Sequence, residues 1–142
     1  MGSKVNLNKF IEHVSSHPFE WGRHDCLTFT NSAFEAYWGE PYAQDWIDGY
    51  MVEGRPPTAR ELKKTFKYAT VEAALDDRLH RCAPTKFGAL VTTSENQRWV
   101  TGVALGISIG SRCIFLNKKG MIAINAIDTT GAWVPHEKQP SI

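Results

Sequence analysis

The stretch Phe19-Glu20-Trp21-Gly22-Arg23-His24-Asp25-Cys26, followed by the apolar run 27–38, decides the fold of this chain. A Trp-Gly turn precedes Asp25, a residue type that caps helices, and Gly39 follows the run as a typical helix stop. The pattern predicts a helix from Asp25 to Trp38 whose broad apolar arc lies mostly inside the protein. Cys26 then lies in the first helical turn, where unpaired backbone N–H groups favour a thiolate.

Helical periodicity continues on both sides of this segment, up to about Pro84. Apolar residues in 7–14 recur at helical spacing and predict an amphipathic helix that Asn6 caps. A short helix is predicted within 42–50, and the capping box Thr58-Ala59-Arg60-Glu61 opens another. The apolar spacing in 71–79 predicts one more helix before the pattern changes.

After Gly88 the sequence consists of short β-branched runs separated by turn residues. The predicted strands are 89–93, 100–109, 113–117 and 121–126. Their connections are too short for crossovers, so the sheet is expected to be antiparallel. The predicted fold class is therefore α+β, with N-terminal helices packed on a C-terminal antiparallel meander. We expect a single domain over 1–142, with a core from about 5 to 134 and a tail at 135–142.

Composition excludes several classes of function. The 142 residues carry a formal net charge of +1, without the concentrated basic stripe of a nucleic-acid-binding protein. The three cysteines are widely spaced and form no Cys-x-x-Cys, so we expect neither a disulfide framework nor a metal site, and no cofactor. No apolar stretch has the length of a signal peptide or a membrane span.

Three short motifs, in the right order, resemble the NlpC-type cell-wall peptidases, which are papain-like cysteine hydrolases. The nucleophile segment of that family reads aromatic-x-Trp-Gly and then Asp-Cys, as in 19–22 and Asp25-Cys26 here. Its first strand opens Gly-Asp-Leu-Val, matched by Gly88-Ala89-Leu90-Val91, and its second reads His-Val-Gly-Ile-Tyr-Leu-Gly, matched by 100–106. The resemblance implies a papain-like topology, with Cys26 at the nucleophile position. Its structural motif residues are Trp21, Gly22, Asp25, Gly102 and Gly106.

The alignment departs from the family at the catalytic base, because the histidine position falls on Val100. The third polar residue of the family falls at or near Asn117. The chain is more similar still to a phage-encoded branch of this superfamily, found among tail genes. That branch keeps Trp-Gly-x-x-Asp-Cys, lacks the histidine and ends with an Ala-Trp pair such as Ala132-Trp133. The likeness implies a virion protein, assembled in the host cytoplasm, whose partners are other phage tail proteins.

Three functional interpretations follow. Loss of the base from a catalytic triad costs on the order of 10⁴-fold in turnover, which favours a non-enzymatic tail-tip or tail-assembly protein. Cys26 is then a packing residue, and Asp25 is a helix cap. The alternative is an active cysteine hydrolase that cleaves peptidoglycan peptides during phage entry, with a distant histidine as base. A third and weaker interpretation is an immunity or host-interaction protein that reuses the fold.

A set of aromatic residues lies between the predicted elements or near the end of the chain. Trp and Tyr are frequent anchors of protein interfaces, although core packing is their commoner role. The interface candidates are Trp38, Tyr42, Trp46, Tyr50 and Trp133.

Overall fold

The computed structural model describes residues 2–55, 60–61, 64, 70–93, 104–117 and 119–136. Its helices are α1 (Lys4–Val14), α2 (Cys26–Trp38), α3 (Gln44–Ile47) and α4 (Val71–Arg78). Its strands are β1 (His80–Arg81), β2 (Leu90–Thr93), β3 (Ala104–Ser108), β4 (Arg112–Asn117), β5 (Gly120–Asn125) and β6 (Gly131–Val134). A 3₁₀ turn, Ala126–Asp128, joins β5 to β6. The predicted α+β class is confirmed.

The strands form one antiparallel sheet in the order β1-β6-β2-β3-β4-β5. The predicted meander accounts for β2 to β5, whose bounds differ from the prediction by at most one residue wherever they are described. Of the predicted strand over 100–109, residues 100–103 lie outside the described residues and Ala104–Ser108 form β3. Of the helix opening predicted at 58–61, Thr58 and Ala59 lie outside the described residues.

Strands β1 and β6 were not predicted. β6 returns from the far end of the meander and lies between β1 and β2, with Trp133 level with Leu90 on one side and with Arg81 on the other. Such pairing joins residues that are far apart in sequence, so local patterns do not reveal it.

Helix α1 begins earlier than predicted. The hydroxyl of Ser3 accepts a hydrogen bond from the backbone N–H of Asn6 at 3.2 Å, so Ser3 is the cap and Asn6 lies inside the helix. The prediction that Asn6 caps α1 is therefore wrong. Because Ser and Asn are almost equally good caps, local sequence could not decide between them.

The predicted ends of α2 are confirmed. The Asp25 carboxylate accepts the backbone N–H of Thr28, the Thr28 hydroxyl accepts the backbone N–H of Asp25, and Gly39 ends the helix at a positive φ of 86°. Helix α2 packs on one face of the sheet, where Phe29 and Phe34 share a cluster with Trp133.

The other face of the sheet carries smaller side chains. Its cluster contains Ala89, Val91 and Ala132, together with the ring of Phe115. A Cβ at Gly106 would come within 2.7 Å of that ring, so the glycine predicted as a motif residue makes room for Phe115. The other predicted motif glycine, Gly102, lies outside the described residues.

Candidate functional site

The segment before α2 folds into a tight turn. The backbone N–H of Glu20 donates to the carbonyl of His24 at 2.9 Å, and the N–H of His24 donates back to the carbonyl of Glu20 at 2.8 Å. Gly22 lies inside this turn with a positive φ of 85°, which only glycine adopts readily. Trp21 packs edge-on against Phe19, with ring centroids 5.1 Å apart. The Trp-Gly motif therefore forms the turn that positions Asp25 at the start of α2.

Asp25 is fully buried and accepts hydrogen bonds from three residues. The N–H of Thr28 donates to Oδ1 at 2.9 Å, and the N–H of Gly22 donates to Oδ2 at 2.8 Å. The phenol of Tyr50 also donates to Oδ2, and burial together with this contact raises the pKa of Tyr50. Because its donors come from Gly22, Thr28 and Tyr50, the buried carboxylate holds together the turn, the start of α2 and the segment around Tyr50.

Cys26 lies in the first turn of α2, as predicted, but its environment opposes the thiolate. The residue is buried in the same apolar cluster as Phe29 and Leu105. Burial raises the pKa of the Cys26 thiol far above its ordinary value, and the negative charge of Asp25 raises it further. Backbone N–H groups, including that of Leu105, act in the opposite direction but do not offset burial. The thiol is therefore protonated at neutral pH.

All five histidines of the chain belong to the described residues, and none forms a hydrogen bond with the Cys26 sulfur there. Three of them form a row of rings, with His13 and His17 5.3 Å apart and His17 and His24 5.7 Å apart. The other two, His80 and His136, have ring centroids 6.2 Å apart, and His80 lies on the edge strand β1. Val100 itself lies outside the described residues.

His24 lines a cleft of 320 Å³ between α1 and the start of α2. Its ring meets Phe29 edge-on at 6.2 Å, and its Nε2 atom is buried without a hydrogen-bond partner in the described structure. Burial lowers the pKa of His24 and the nearby His17 lowers it further, whereas Asp25 raises it. Other residues that line the cleft are Phe10, Val14, Glu20 and Arg23.

Asn117 does not reach Cys26. Side chains alternate along a strand, and Leu116 lies in the cluster that contains Cys26, so Asn117 projects from the opposite face. Its Oδ1 atom accepts the backbone N–H of Lys119 at 2.8 Å, which stabilises the turn into β5. Asn117, to which the family's third polar position was aligned, therefore does not face Cys26.

Comparison with known families gives one match, to a domain of unknown function, DUF6950, over residues 3–134. The chain belongs to the DUF6950 family. Neither a curated protein nor a solved structure gives a significant match. Within its described part, this DUF6950 chain has no helix both long and apolar enough to cross a bilayer, and no cluster of three or more His, Cys, Asp or Glu side chains suited to a metal.

Three of the five interface candidates in this DUF6950 chain are wrong, because Tyr42, Tyr50 and Trp133 are buried within it. Trp133 is fully buried, and its indole N–H donates to Asp76 at 2.9 Å. These aromatic side chains therefore hold the core together.

The other two candidates, Trp38 and Trp46, are half-buried. The Trp38 indole N–H donates to the carbonyl of Gly88 at 2.9 Å and ties the end of α2 to the sheet. The Arg78 guanidinium lies 3.8 Å from the centroid of the Trp46 ring and forms two hydrogen bonds with Asp45, at 2.8 and 3.0 Å. Trp46 is thus held in place at the surface.

Sequence reasoning missed the polar residues that hold the segment after α2. The Asn31 side chain accepts the backbone N–H groups of Tyr42 and Ala43, at 3.1 and 2.8 Å. The Thr30 hydroxyl bonds to the carbonyl of Cys26 and to the Tyr42 phenol, each at 2.7 Å. Both residues interrupt the apolar arc of α2. A buried polar pair within an apolar helix was the signal that could have revealed them.

Proposed function

We propose that this DUF6950 chain is a non-enzymatic protein with a degenerate NlpC-like fold, which serves as a structural component of a phage tail tip or of tail assembly. The observation that carries the proposal is the burial of Cys26 in an apolar cluster, with no imidazole bonded to its sulfur in the described structure. This burial raises the pKa of the thiol and so favours its protonated form. A papain-like nucleophile requires the opposite, a thiolate paired with an imidazolium and open to substrate.

The roles of Asp25 and Gly22 support the same proposal. Asp25 caps α2 and binds the Tyr50 phenol, and Gly22 supplies the positive φ of the turn. These two motif residues therefore have structural uses that need no chemistry at Cys26. The assignment to a phage tail is supported by the likeness of Trp21-Gly22 and Asp25-Cys26 to the phage-encoded branch, which lacks the histidine.

In this proposal the protein works through its surface, and Trp46 is the candidate contact. A half-exposed indole under a guanidinium is already ordered, so binding would cost little side-chain entropy. Tryptophan and arginine are also the residues most enriched among the energetic centres of interfaces. We expect a tail protein to pack against Trp46 and Arg78.

The first test is the reaction of the native protein with iodoacetamide over a range of pH, followed by mass spectrometry of each cysteine. Cys26 should stay unmodified from pH 6 to about 8, because burial keeps the thiol protonated and covered. The half-buried Cys82 is an internal control, and denatured protein should react at all three cysteines. Reaction of Cys26 near pH 6, ahead of Cys82, would contradict the proposal and favour the hydrolase.

The second test uses the virus. A phage carrying Cys26→Ala should assemble and infect normally, whereas a hydrolase needed for entry would assemble and lose infectivity. Trp46→Ala should reduce incorporation of the protein into tails, while Val5→Ala, at an exposed apolar residue on α1, should not. Equal incorporation of both variants would remove Trp46 from the proposed interface.

A further inference from the structure

The two edges of the sheet differ in how they are protected. β1 has only two residues and includes the charged Arg81, and short charged strands discourage pairing with other chains. β5 has six residues, Gly-Met-Ile-Ala-Ile-Asn, without a charge or a proline. Among the described residues, β5 pairs only with β4, and its ladder is regular. An apolar edge of this kind is a ready template for another strand.

The hydrogen-bond register identifies the free groups of this edge. The N–H of Ala126 donates to the carbonyl of Ser111 at 2.9 Å, in continuation of the β4–β5 ladder. Because bonding alternates along an antiparallel pair, the even-numbered residues of β5 bond to β4. The backbone groups of Met121, Ala123 and Asn125 therefore point to the open side.

We propose that this open edge pairs antiparallel with β5 of a second copy, which would join the two sheets across a twofold axis at Ala123. In this register Ala123 faces its own counterpart, and Met121 faces Asn125 of the other copy. The three outward-facing residues of each strand would form about six intermolecular backbone hydrogen bonds. The inference does not depend on the function proposed above.

Side chains and charges along β5 fit a copy of the same strand. Ile122 of one copy would lie opposite Ile124 of the other, on the face where both are half-buried in the single chain. Such β-branched pairs stabilise neighbouring strands. Ala123 is exposed and small, so the two backbones can approach at the axis.

The ends of the strand carry complementary groups. Just beyond the paired residues, Lys119 of one copy would lie near the 3₁₀ turn of the other copy, which carries Ile127 and Asp128. Both charged residues are exposed, and Ile127 is an exposed large apolar residue at 87%. Pairing would cover Ile127 with the lysine stem and bring opposite charges together. These contacts favour a second copy of this chain as the occupant of the edge.

The test is the molar mass of the full chain in solution, measured by sedimentation over a range of concentrations. The wild type should reach twice the chain mass of 15.9 kDa. Ala123→Glu and Ala123→Lys should each weaken dimerisation by at least about tenfold, because like charges would face each other at the axis. An equimolar mixture of the two variants should form a heterodimer, which a general folding defect could not produce.

The matched controls are Val5→Glu and Val5→Lys, which introduce the same charges at an exposed apolar residue on α1 and should leave the dimer intact. Ala123→Pro should also weaken dimerisation, because proline removes an outward N–H that the proposed pairing uses and the β4 ladder does not. A wild type that stays monomeric at every concentration would overturn the proposal. Undiminished dimers of A123E and A123K alone, or a mixture of them that stays monomeric, would do the same.

Discussion

His24 and Asp25 are consecutive residues whose side chains differ in hydrogen bonding. The Asp25 carboxylate is fully buried and accepts hydrogen bonds from Gly22, Thr28 and Tyr50. The Nε2 atom of His24 is buried beside the cleft without a partner in the described structure. The difference shows that a buried polar group stabilises the fold only when its hydrogen-bond partners are buried with it. The Asp25 network should therefore dominate stability, and His24 should be a local weakness.

Replacement of Asp25 by Ala should have the largest effect on this comparison. It leaves the N–H groups of Gly22 and Thr28 and the Tyr50 phenol without their acceptor, at a cost of about 3–5 kcal/mol in the free energy of unfolding. Denaturant titration at neutral pH measures the loss. Asp48→Ala, at an exposed carboxylate, should change stability by no more than about 0.5 kcal/mol. A loss below about 1 kcal/mol for Asp25→Ala would show that the network is not structural.

Two of the buried tyrosines, Tyr50 and Tyr42, provide a smaller test, because only Tyr50 bonds to Asp25. Tyr50→Phe removes a donor to the Asp25 carboxylate and should cost about 1–3 kcal/mol. Tyr42→Phe should cost less, because its partner Thr30 keeps a bond to the carbonyl of Cys26. Equilibrium unfolding of both variants gives the order. A larger loss in the free energy of unfolding for Tyr42→Phe than for Tyr50→Phe would place the stronger hydrogen bonds at Thr30.

Cys26, the next residue along the chain, tests the contribution of apolar packing to stability. Cys26→Ala should cost about 1 kcal/mol, because it removes a buried sulfur from a packed cluster. Cys82→Ala, at a half-buried cysteine, should stay within about 0.5 kcal/mol. Thermal or denaturant unfolding measures both changes. A gain in stability for Cys26→Ala would instead be typical of a site strained for catalysis.

The smallest expected effect is a pH dependence from His24. Its pKa is lowered in the folded protein below the ordinary value of 6.5, so the unfolded chain binds the proton more readily. Stability is therefore fully present above about pH 6.5 and declines as the pH falls below that value. His24→Gln should flatten the stability profile between pH 7.5 and 5.5. An unchanged slope in His24→Gln would assign the dependence to other groups.

Much of the fold could be predicted because its signals are local. Asp25 and Gly39 delimit α2, and the turn residues before β5 delimit the meander. β6 was missed because its four residues form a strand only by pairing with β1 and β2, which lie more than thirty residues earlier in the sequence. For the same reason Trp133 was expected at the surface and lies in the core.

The candidate site was predicted in position but not in its electrostatics. The sequence placed Cys26 in the first turn of a helix, and the structure agrees. The helix terminus favours a thiolate, yet desolvation by the surrounding core is stronger, and only packing against Leu105 and Phe29 reveals it. Asn117 was placed by alignment alone, and the alternation of β4 turns it to the opposite face.

By itself the sequence determined that helices precede the meander from β2 to β5, and it determined the ends of α2 and the turn at Gly22, because capping groups, periodicity and glycine conformations act over a few residues. The tertiary structure alone decided which polar groups are satisfied. Tyr50 reaches Asp25 from twenty-five residues away, whereas nothing in the described structure reaches Nε2 of His24. Burial and long-range hydrogen bonds arise only when distant segments meet, and they set the protonation state of Cys26.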